Sequence, residues 1–576
     1  MTADARRLAA AVVVLWIVLF ALGLGNHQLR GAEEPYVGGI IREMADSHDW
    51  VVPTLNGSPY LEKPPLYYLV GALAARVTGS FQPWVLRLPS ALFALATMGY
   101  LAWFGHHRGR PAAGWWAAAC TGTSDLFSRI GGTAMVDMPL VFGVTLGLGS
   151  LWLMLQEPDR ARRWASWAWV GIALAFLGKG LIGPCLILLP VPGLAWAYRG
   201  SFRALLRPRW GMVLALAIAG LWCVLLGRRG GWPYLEEALL RNSLGRFLQS
   251  PALAPHTGTV GEHREHFYFY FLHTPLNLLP WIAFPFLAGF ATRPGLPAAG
   301  RNPVRLFVPW VVICDLLLLS FSGMRRNVYA LPLLPLAFLF AALFLDARLR
   351  TDEEAGQDPP ASVRVSLGAT ALVVVLAVAI APWPMAHNLK MPGWTPLPFT
   401  LLALASAAIF AWAWRARKFR WLLDGAVLLW AAGLTLPGLF TPPYEEPTHA
   451  RLTQPFEWAL ACQTRTGAEV WASGFTESDL GMASLILRKP VNCLPEGLPP
   501  ETILARNNPV VLLAPPQTAA MVGGAQILKP SPGASGKQGQ PFWVVLNAAA
   551  AKGLAARGWS GAEPTRGRER GPGAGG

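Results

Sequence analysis

The sequence predicts an α-helical membrane protein that crosses the bilayer many times and ends in a small α/β domain. Of its 576 residues, 53% are hydrophobic and only 14% are charged, whereas a soluble domain carries about 25% charged residues. The 26 tryptophans agree with a membrane location, because tryptophan collects at the membrane–water interface. After residue 440 the composition becomes polar and short strand-like runs begin.

Basic residues outnumber acidic ones, and the formal net charge is +16. Binding of nucleic acid would require a basic face on a soluble domain. Here arginine is concentrated in short connections between apolar segments, which is the pattern of membrane topology signals. No nucleic-acid partner is therefore expected.

Apolar runs of the length that crosses a bilayer predict about 13 transmembrane helices. A further apolar run, 66–77, is too short to cross and predicts a helix in the membrane interface. This helix is expected to begin at Pro64 and Pro65, because proline suits a first helical turn. The approximate limits of the predicted spans are 8–24, 84–105, 112–129, 133–155, 165–179, 182–198, 210–227, 269–291, 305–322, 327–345, 365–385, 398–414 and 421–440.

Every second connection between these spans is rich in arginine, which predicts that those connections and the N-terminus are cytoplasmic. The long first loop, 25–83, and all residues after 440 are then extracytoplasmic. The first apolar run lacks a small-residue cleavage site, so we expect an uncleaved first span. The basic connections are 108–110, 160–163, 199–209, 293–305, 348–364 and 415–420.

Residues 441–555 are predicted to form a soluble extracytoplasmic α/β domain, because β-rich runs alternate with helix-compatible stretches. The Gly- and Arg-rich tail 556–576 is predicted to be disordered. Cys462 and Cys493 lie on the predicted oxidising side of the membrane, and their spacing leaves a disulfide between them open. The strand-like runs are 468–474, 509–515 and 542–547.

Carboxylates, cations and histidines gather in loops that are predicted to share the extracytoplasmic face. This asymmetry indicates chemistry at that interface on a lipid-borne substrate. In chain order the segments include "GAEEPY", "REM", "HDW", "LNGSPYLEKPPLYY", "MVDMPL", "GKG", "NSLGRF", "GEHREHFYFYF" and "RRNVYALPLLP".

Over about residues 1–440 this pattern resembles one family, the bacterial GT-C glycosyltransferases. That family includes lipid A aminoarabinose transferases and relatives of protein O-mannosyltransferases. The resemblance implies a GT-C transmembrane catalytic domain over residues 1–440, in the bacterial inner membrane. It also implies transfer of a sugar from polyprenyl phosphate, with inversion of the anomeric carbon.

The resemblance leaves the sugar and the acceptor open. The donor sugar is expected to be aminoarabinose or another modified hexose or pentose, and the acceptor is expected to be lipid A or another envelope component. A protein acceptor is one alternative. Transport of a lipid-linked sugar is another, because Asp315 and Lys179 lie in or near spans, where charges often mark transport pathways.

The resemblance assigns the donor phosphate to cations near the extracytoplasmic ends of the spans. Lys63 matches the family lysine that binds phosphate, where an ammonium neutralises the charge that develops on the leaving group. Arg246, Arg325 and Arg326 are further candidates, because guanidinium groups grip phosphate oxygens in pairs. The alternative for each cation is that it only snorkels or anchors a helix end. The membrane-facing aromatic residues expected along the polyprenyl tail are Tyr67 and Tyr68.

The catalytic acids implied by the resemblance are Asp137, Glu33 and Glu34. One of them would act as a general base or stabilise positive charge on the sugar. The alternative is a carboxylate that only caps a helix or braces a loop. The chain departs from the family pattern at Glu33, where the family usually has Asp, and at Tyr36 and Val37, where it commonly has Arg and Tyr.

Glu62 and His263 resemble a pair that holds a zinc ion in a characterised family member. Two ligands from distant loops are few for a metal site, and His256, His266 or water would have to complete the shell. The alternative is that Glu62 only pairs with Lys63.

The arginine pattern predicts that positions 63, 137, 263 and 325 lie on the extracytoplasmic face. Cysteines placed singly at these positions should react with a membrane-impermeant thiol reagent added outside intact cells. A position that reacts only after the membrane is disrupted would contradict the predicted topology at that point.

Overall fold

The structure, a computed structural model, describes residues 13–14, 23–25, 27–29, 31–197, 201–206, 210–254, 265–282, 304–354, 357–388, 390–440, 442–495, 497–530 and 542–557. The chain divides into two compact units. We call residues 1–27, 49–52 and 60–442 the membrane unit, and residues 28–48, 53–59 and 443–576 the C-terminal unit. The sequence predicts one domain over 1–440, whereas the structure groups 28–48 and 53–59 with the C-terminal unit, on which they pack.

The described helices follow one another through both units with short connections. They are α1 (Glu33–Ser47), α2 (Leu66–Thr78), α3 (Pro83–His107), α4 (Pro111–Thr123), α5 (Asp125–Gly131), α6 (Asp137–Gln156), α7 (Ala161–Lys179), α8 (Ile182–Leu188), α9 (Val191–Ala197), α10 (Gly211–Leu235), α11 (Arg246–Leu248), α12 (Phe269–Asn277), α13 (Val304–Phe321), α14 (Leu334–Glu354), α15 (Ala361–Ile380), α16 (Pro382–Asn388), α17 (Leu397–Arg415), α18 (Phe419–Phe440), α19 (Pro442–Thr466), α20 (Glu477–Leu487), α21 (Pro500–Leu504), α22 (Pro516–Ala520) and α23 (Ala548–Ala555).

Among the described residues, six helical stretches are long and apolar enough to cross a membrane, and each corresponds to a predicted span. The predicted span 112–129 differs, because the extended backbone of Ser124 (ψ 141°) separates α4 from α5. The predicted span 8–24 lies mostly outside the described residues. The six stretches are Pro83–His107, Asp137–Gln156, Gly211–Leu248, Asn327–Arg350, Ala361–Asn388 and Leu397–Arg415.

Helix α2 begins at Leu66, directly after the two prolines at which the sequence predicts its start. The carbonyl of Pro65 accepts the first helical hydrogen bond, from the N–H of Leu69 at 2.8 Å. Proline fits this place because the N–H that it lacks would have no helical partner. The residues just before α2 are thereby held at the entry of an apolar helix.

Helices α6 and α7 approach each other closely because small residues face each other along their contact. A Cβ atom added at Gly171 would lie 2.5 Å from the backbone N of Gly147, and one at Gly143 would lie 2.5 Å from the backbone N of Ala175. Small residues allow such close backbone contact between membrane helices. The N-terminal end of α6 is consequently held against the C-terminal end of α7.

The C-terminal unit contains a five-stranded sheet with the order β4-β3-β5-β7-β6. Strand β3 is parallel to β4 and β5, whereas β7 is antiparallel to β5 and β6. All five residues of the central strand β5 are buried, as expected for a strand covered on both faces. The strands are β3 (Glu469–Ala472), β4 (Asn492–Cys493), β5 (Val510–Ala514), β6 (Gln526–Leu528) and β7 (Trp543–Leu546).

The three strand-like runs of the sequence thus form β3, β5 and β7. Cys462 is buried and Cys493 is exposed, and both are free thiols, so the disulfide left open by the sequence is not formed. The predicted tail lies, from residue 558 onward, outside the described residues.

A hairpin in the long first loop also belongs to the C-terminal unit. Strands β1 (Thr54–Leu55) and β2 (Ser58–Pro59) are joined by Asn56 and Gly57, whose φ angles of 54° and 74° are those of a type I′ turn. The carboxylate of Glu43 accepts both turn N–H groups, at 2.7 and 3.0 Å. The Asn56 amide exchanges two hydrogen bonds with the backbone of Val491. The "LNG" part of the family pattern therefore has a structural role.

Replacing Gly171 with Ala should destabilise the membrane unit, because the added Cβ meets the backbone of α6. Overpacking of this kind costs about 1–3 kcal/mol, and the thermal unfolding temperature in detergent should fall. Gly99→Ala is the matched control, since a Cβ at Gly99 meets no atom within 4 Å. Equal unfolding temperatures for the two variants would show that α6 and α7 can separate without cost.

Candidate active site

A cavity of about 280 Å³ lies in the membrane unit and combines charged and apolar walls. Its lining includes three cations, Lys63, Lys179 and Arg246, and one carboxylate, Glu62. A cavity with this lining fits a molecule that joins an anionic group to hydrocarbon. The apolar lining residues are Leu140, Leu181, Ile182, Leu186, Leu244, Phe247, Leu318, Leu319 and Met324.

The carboxylate of Glu62 connects two distant parts of the chain. Its Oε1 accepts hydrogen bonds from Lys63 Nζ at 2.6 Å and from Arg246 Nη1 at 2.7 Å. Its Oε2 accepts one from the hydroxyl of Tyr60 at 2.7 Å. Side-chain exposure is between 11% and 19% for Glu62, Lys63 and Arg246, so the three charges interact largely away from bulk water.

The charge of Glu62 is stabilised by its two cationic neighbours. Burial would raise the pKa of the Glu62 carboxyl, but Lys63 and Arg246 outweigh burial and lower that pKa from 4.5 to about 2. Glu62 is therefore an anion at every physiological pH, and it orients two cations rather than exchanging protons.

A second ion pair joins Asp137 and Lys179, whose Nζ donates to Asp137 Oδ1. Asp137 is the first residue of α6 and Lys179 the last residue of α7. Each charge therefore complements the dipole of its own helix. Lys179 Nζ also lies 4.4 Å from the ring centroid of Tyr329, over its face, and both residues line the cavity.

A π-helix, Glu236–Gly245, precedes Arg246 and brings Asn242 and Ser243 to the cavity. Asn242 Nδ2 donates to Oε1 of Glu237 at 3.0 Å and to its carbonyl at 3.1 Å. The same nitrogen reaches the carbonyl of Leu61 at 3.5 Å. Asn242 thus links the π-helix to the segment that carries Glu62, and π-helical turns often occur at functional sites.

Of the four cations predicted to bind phosphate, the structure brings Lys63 and Arg246 together and leaves Arg325 and Arg326 outside the cavity lining. Arg325 donates two hydrogen bonds to the carbonyl of Ser320, at 2.7 and 3.1 Å, and another to the carbonyl of Glu265. Its guanidinium therefore ties the loop after α13 to neighbouring backbone.

The predicted membrane-facing position of Tyr67 and Tyr68 is wrong. Both side chains are fully buried within the protein. The Tyr67 hydroxyl lies 3.1 Å from the carbonyl of Leu86 and 3.0 Å from Ser90 Oγ, so it fastens α2 to α3. Buried tyrosine needs such hydrogen-bond partners.

Glu33 and Glu34 lie in the first turn of α1, in the C-terminal unit, and Glu34 is buried. Carboxylates in a first turn are stabilised by the helix dipole. That stabilisation agrees with the capping alternative considered from the sequence. The catalytic role of these two acids stays a prediction.

The metal site predicted from Glu62 and His263 also stays a prediction. His263 lies outside the described residues, and within them no group of three potential metal-ligating side chains occurs. Both carboxylate oxygens of Glu62 already accept hydrogen bonds, and two of the three donors are the cations Lys63 and Arg246. A metal ion at Glu62 would have to compete with Lys63 and Arg246 for the carboxylate.

Lys179 and Tyr329 are cavity residues to which the sequence interpretation gave no role in sugar transfer. The sequence interpretation assigns Lys179 only to the alternative of a transporter, as a charge in or near a span. The signal for both was nevertheless available, since they occur in the "GKG" and "NVYALP" segments. The sequence alone does not show that α6 packs against α7, which places Lys179 beside Asp137.

The low pKa of Glu62 predicts a specific pH dependence of stability. A carboxyl whose pKa is lowered on folding contributes stability above its ordinary pKa and loses that contribution as the pH falls toward the folded value. The difference in unfolding temperature between wild type and Glu62→Gln should therefore be constant above about pH 5.5 and shrink below about pH 4.5. A difference that disappears already between pH 8 and pH 6 would contradict the paired, ionised state.

The chain is similar to known membrane transferases in sequence. Residues 11–216 match the family model described as dolichyl-phosphate-mannose-protein mannosyltransferase. An undecaprenyl phosphate-α-4-amino-4-deoxy-L-arabinose arabinosyl transferase of Pectobacterium atrosepticum is 26% identical over 339 residues, 58% of each chain. The protein of that name from Pseudomonas paraeruginosa is 27% identical over 414 residues, 71% of this chain and 70% of the relative. The first alignment thus spans less than two thirds of the relative's length.

The fold has a solved counterpart over nearly its whole length. The crystal structure of ArnT from Cupriavidus metallidurans bound to undecaprenyl phosphate superposes with a TM-score of 0.73, at 21% identity, covering 95% of this chain and 99% of that one. Its apo form gives a TM-score of 0.72. The chain thus shares the fold of that structure, and its sequence is similar to those of the named mannosyltransferase family and arabinosyl transferases.

Proposed function

We propose that this chain is an integral-membrane glycosyltransferase that moves a sugar from polyprenyl phosphate to lipid A or a similar envelope acceptor. The observation that carries the proposal is the cavity in which Lys63, Lys179 and Arg246 stand beside apolar walls. A polyprenyl phosphate has the matching division into an anionic group and a hydrocarbon tail. The names of the relatives, which act on undecaprenyl phosphate-linked aminoarabinose, support this class of donor.

The charges of the cavity suit a phosphate that gains negative charge during the reaction. Among the described residues, the lining carries three cations and one carboxylate, that of Glu62. Positioned cations stabilise charge where it develops in the transition state, and they do so more strongly in a site of low dielectric. Lys63 and Arg246 would bind the phosphate oxygens from the side fixed by Glu62, and Lys179 would bind them from the side fixed by Asp137.

Asp137 is the carboxylate of the membrane unit best placed for the sugar or acceptor, since it adjoins the cavity through Lys179. If the acceptor is a hydroxyl group, Asp137 would remove its proton as the glycosidic bond breaks. If the acceptor is a phosphate, no base is needed, and Asp137 would stabilise the oxocarbenium-like sugar. Glu33 and Glu34 are the alternative acids that the family pattern proposes.

A protein acceptor is the second candidate, because the matched family model is that of a protein mannosyltransferase. Transport is disfavoured as the main activity, since the relatives are transferases and Lys179 pairs with Asp137 at helix ends. For the fine topology we propose about 13 spans, with a cytoplasmic N-terminus and a periplasmic C-terminal unit in the inner membrane. The alternation of basic connections supports this orientation.

The reaction class can be tested with the purified protein in nanodiscs. Undecaprenyl phosphate-aminoarabinose is supplied with lipid A, and mass spectrometry follows both the modified acceptor and the released undecaprenyl phosphate. Consumption of the donor without modification of lipid A would show that the acceptor is a different molecule. No consumption of this donor, with other polyprenyl-phosphate sugars equally inert, would contradict the proposed function.

Lys63→Ala should weaken donor binding and slow the chemical step together, because phosphate charge grows as the sugar departs. Lys63→Arg should restore activity only in part, since a planar guanidinium does not reproduce a compact ammonium. Donor affinity and single-turnover rate are the two measurements. Arg129→Gln, which removes an exposed cation outside the cavity, is the control and should change neither. Unchanged values for Lys63→Ala would leave Lys63 only a structural role.

Asp137→Asn should reduce turnover by several hundred-fold, which corresponds to roughly 3–4 kcal/mol of transition-state stabilisation. A comparison with Lys179→Met distinguishes two possible roles of Asp137. If Asp137 only holds Lys179, both single variants and the double variant should be impaired equally. If Asp137 acts on the sugar or acceptor, Asp137→Asn should be slower than Lys179→Met. Wild-type turnover of Asp137→Asn would pass the role to Glu33 or Glu34.

A further inference from the structure

A second cluster of charges lies in the membrane unit outside the cavity. Asp346 of α14 is completely buried and contacts three arginines. Arg110 Nη1 lies 3.3 Å from Oδ2, Arg350 Nε 3.1 Å from Oδ2, and Arg420 Nη1 3.5 Å from Oδ1. The three arginines come from three places in the sequence: the start of α4, the end of α14 and the start of α18.

The carboxylate of Asp346 has fewer acceptor sites than the three guanidinium groups have donors. A carboxylate offers about four lone-pair sites, whereas three guanidinium groups carry about fifteen N–H donors. The arginine side chains are 37%, 38% and 27% exposed, so the surplus positive charge reaches the surface. The neighbouring Asp424 accepts a hydrogen bond from Trp116 Nε1 at 2.7 Å. Even with Asp424 included, the cluster keeps an excess of cations.

The cluster lies at the other end of a membrane-crossing helix from the cavity. Tyr329 lines the cavity, and Asp346 follows on the same stretch, Asn327–Arg350. The stretch is a 3-10 helix over Asn327–Leu333 and an α-helix from Leu334. At about 2.0 and 1.5 Å per residue, the two residues are separated by roughly 28 Å along it. That length approaches the hydrocarbon thickness of a bilayer. The arginine cluster thus belongs to the opposite leaflet.

Aromatic residues beside the cluster mark the level of the lipid headgroups. Trp412 and Trp421 are 48% and 53% exposed, and Lys418 Nζ lies 4.9 Å from the centroids of both rings. Exposed tryptophan together with a cation is typical of the membrane–water interface. An apolar surface that accommodates acyl chains therefore adjoins a surface of positive charge.

We propose that Arg110, Arg350 and Arg420, held in place by Asp346, bind the phosphate of an anionic phospholipid in the leaflet opposite the cavity. Guanidinium groups bind phosphate oxygens through paired hydrogen bonds, and Asp346 keeps the three groups close enough to share one headgroup. This site is separate from the proposed transfer reaction and does not depend on it.

The test is a titration of short-chain phosphatidylglycerol into the detergent-solubilised full-length protein, followed by native mass spectrometry. Arg110→Gln and Arg350→Gln should each weaken binding about five-fold, the share expected of one basic residue at an anionic lipid surface. Both variants keep two arginines on Asp346, which protects the fold. Arg160→Gln, a 60% exposed arginine outside the cluster, is the control for loss of charge alone and should bind as wild type. Phosphatidylcholine should bind weakly to all four proteins.

Three results would overturn the proposal. The first is wild-type affinity for phosphatidylglycerol in both cluster variants. The second is a loss of affinity in Arg160→Gln equal to theirs. The third is displacement of the lipid by millimolar inorganic phosphate with equal thermal stabilisation, which would indicate a site for free phosphate.

Discussion

The candidate site depends most on the hydrogen bonds that the carboxylate of Glu62 accepts. This carboxylate accepts hydrogen bonds from Lys63, its neighbour in sequence, and from Arg246, which the chain supplies much later. Without this anion, two cations would stand close together in a partly buried cavity and would repel each other. With it, the two cations stay together in the lining of the cavity. Asn242 strengthens the arrangement by linking the π-helix to the carbonyl of Leu61.

The ion pair of Asp137 and Lys179 shows how helix packing prepares a charged site in an apolar environment. Each residue occupies the helix end at which its charge is favoured by the dipole. The glycines on the facing sides of α6 and α7 bring these ends together. Packing of small residues, helix polarity and charge thus act in the same direction. This agreement explains why two ionised groups are tolerated where unpaired charges would be costly.

The family pattern around residues 53–65 combines two kinds of information. Asn56 and Gly57 form a hairpin turn and contact backbone within the C-terminal unit, whereas Glu62 and Lys63 line the cavity of the membrane unit. The division between the two units falls between Pro59 and Tyr60. Residues that are adjacent in a sequence motif therefore need not belong to one site. Part of this motif stabilises the fold, and another part lines the cavity.

The sequence by itself determined the features that depend on local pattern. Apolar length predicted membrane helices, alternation of β-rich runs predicted β3, β5 and β7, and two prolines predicted the start of α2. Tertiary structure alone decided which polar groups meet. It buried Tyr67 and Tyr68 between helices, used Arg325 to hold backbone carbonyls, and gave Lys179 to Asp137. The physical reason is that hydropathy and turn chemistry act over a few neighbouring residues, whereas a cavity is made by side chains that only helix packing brings together.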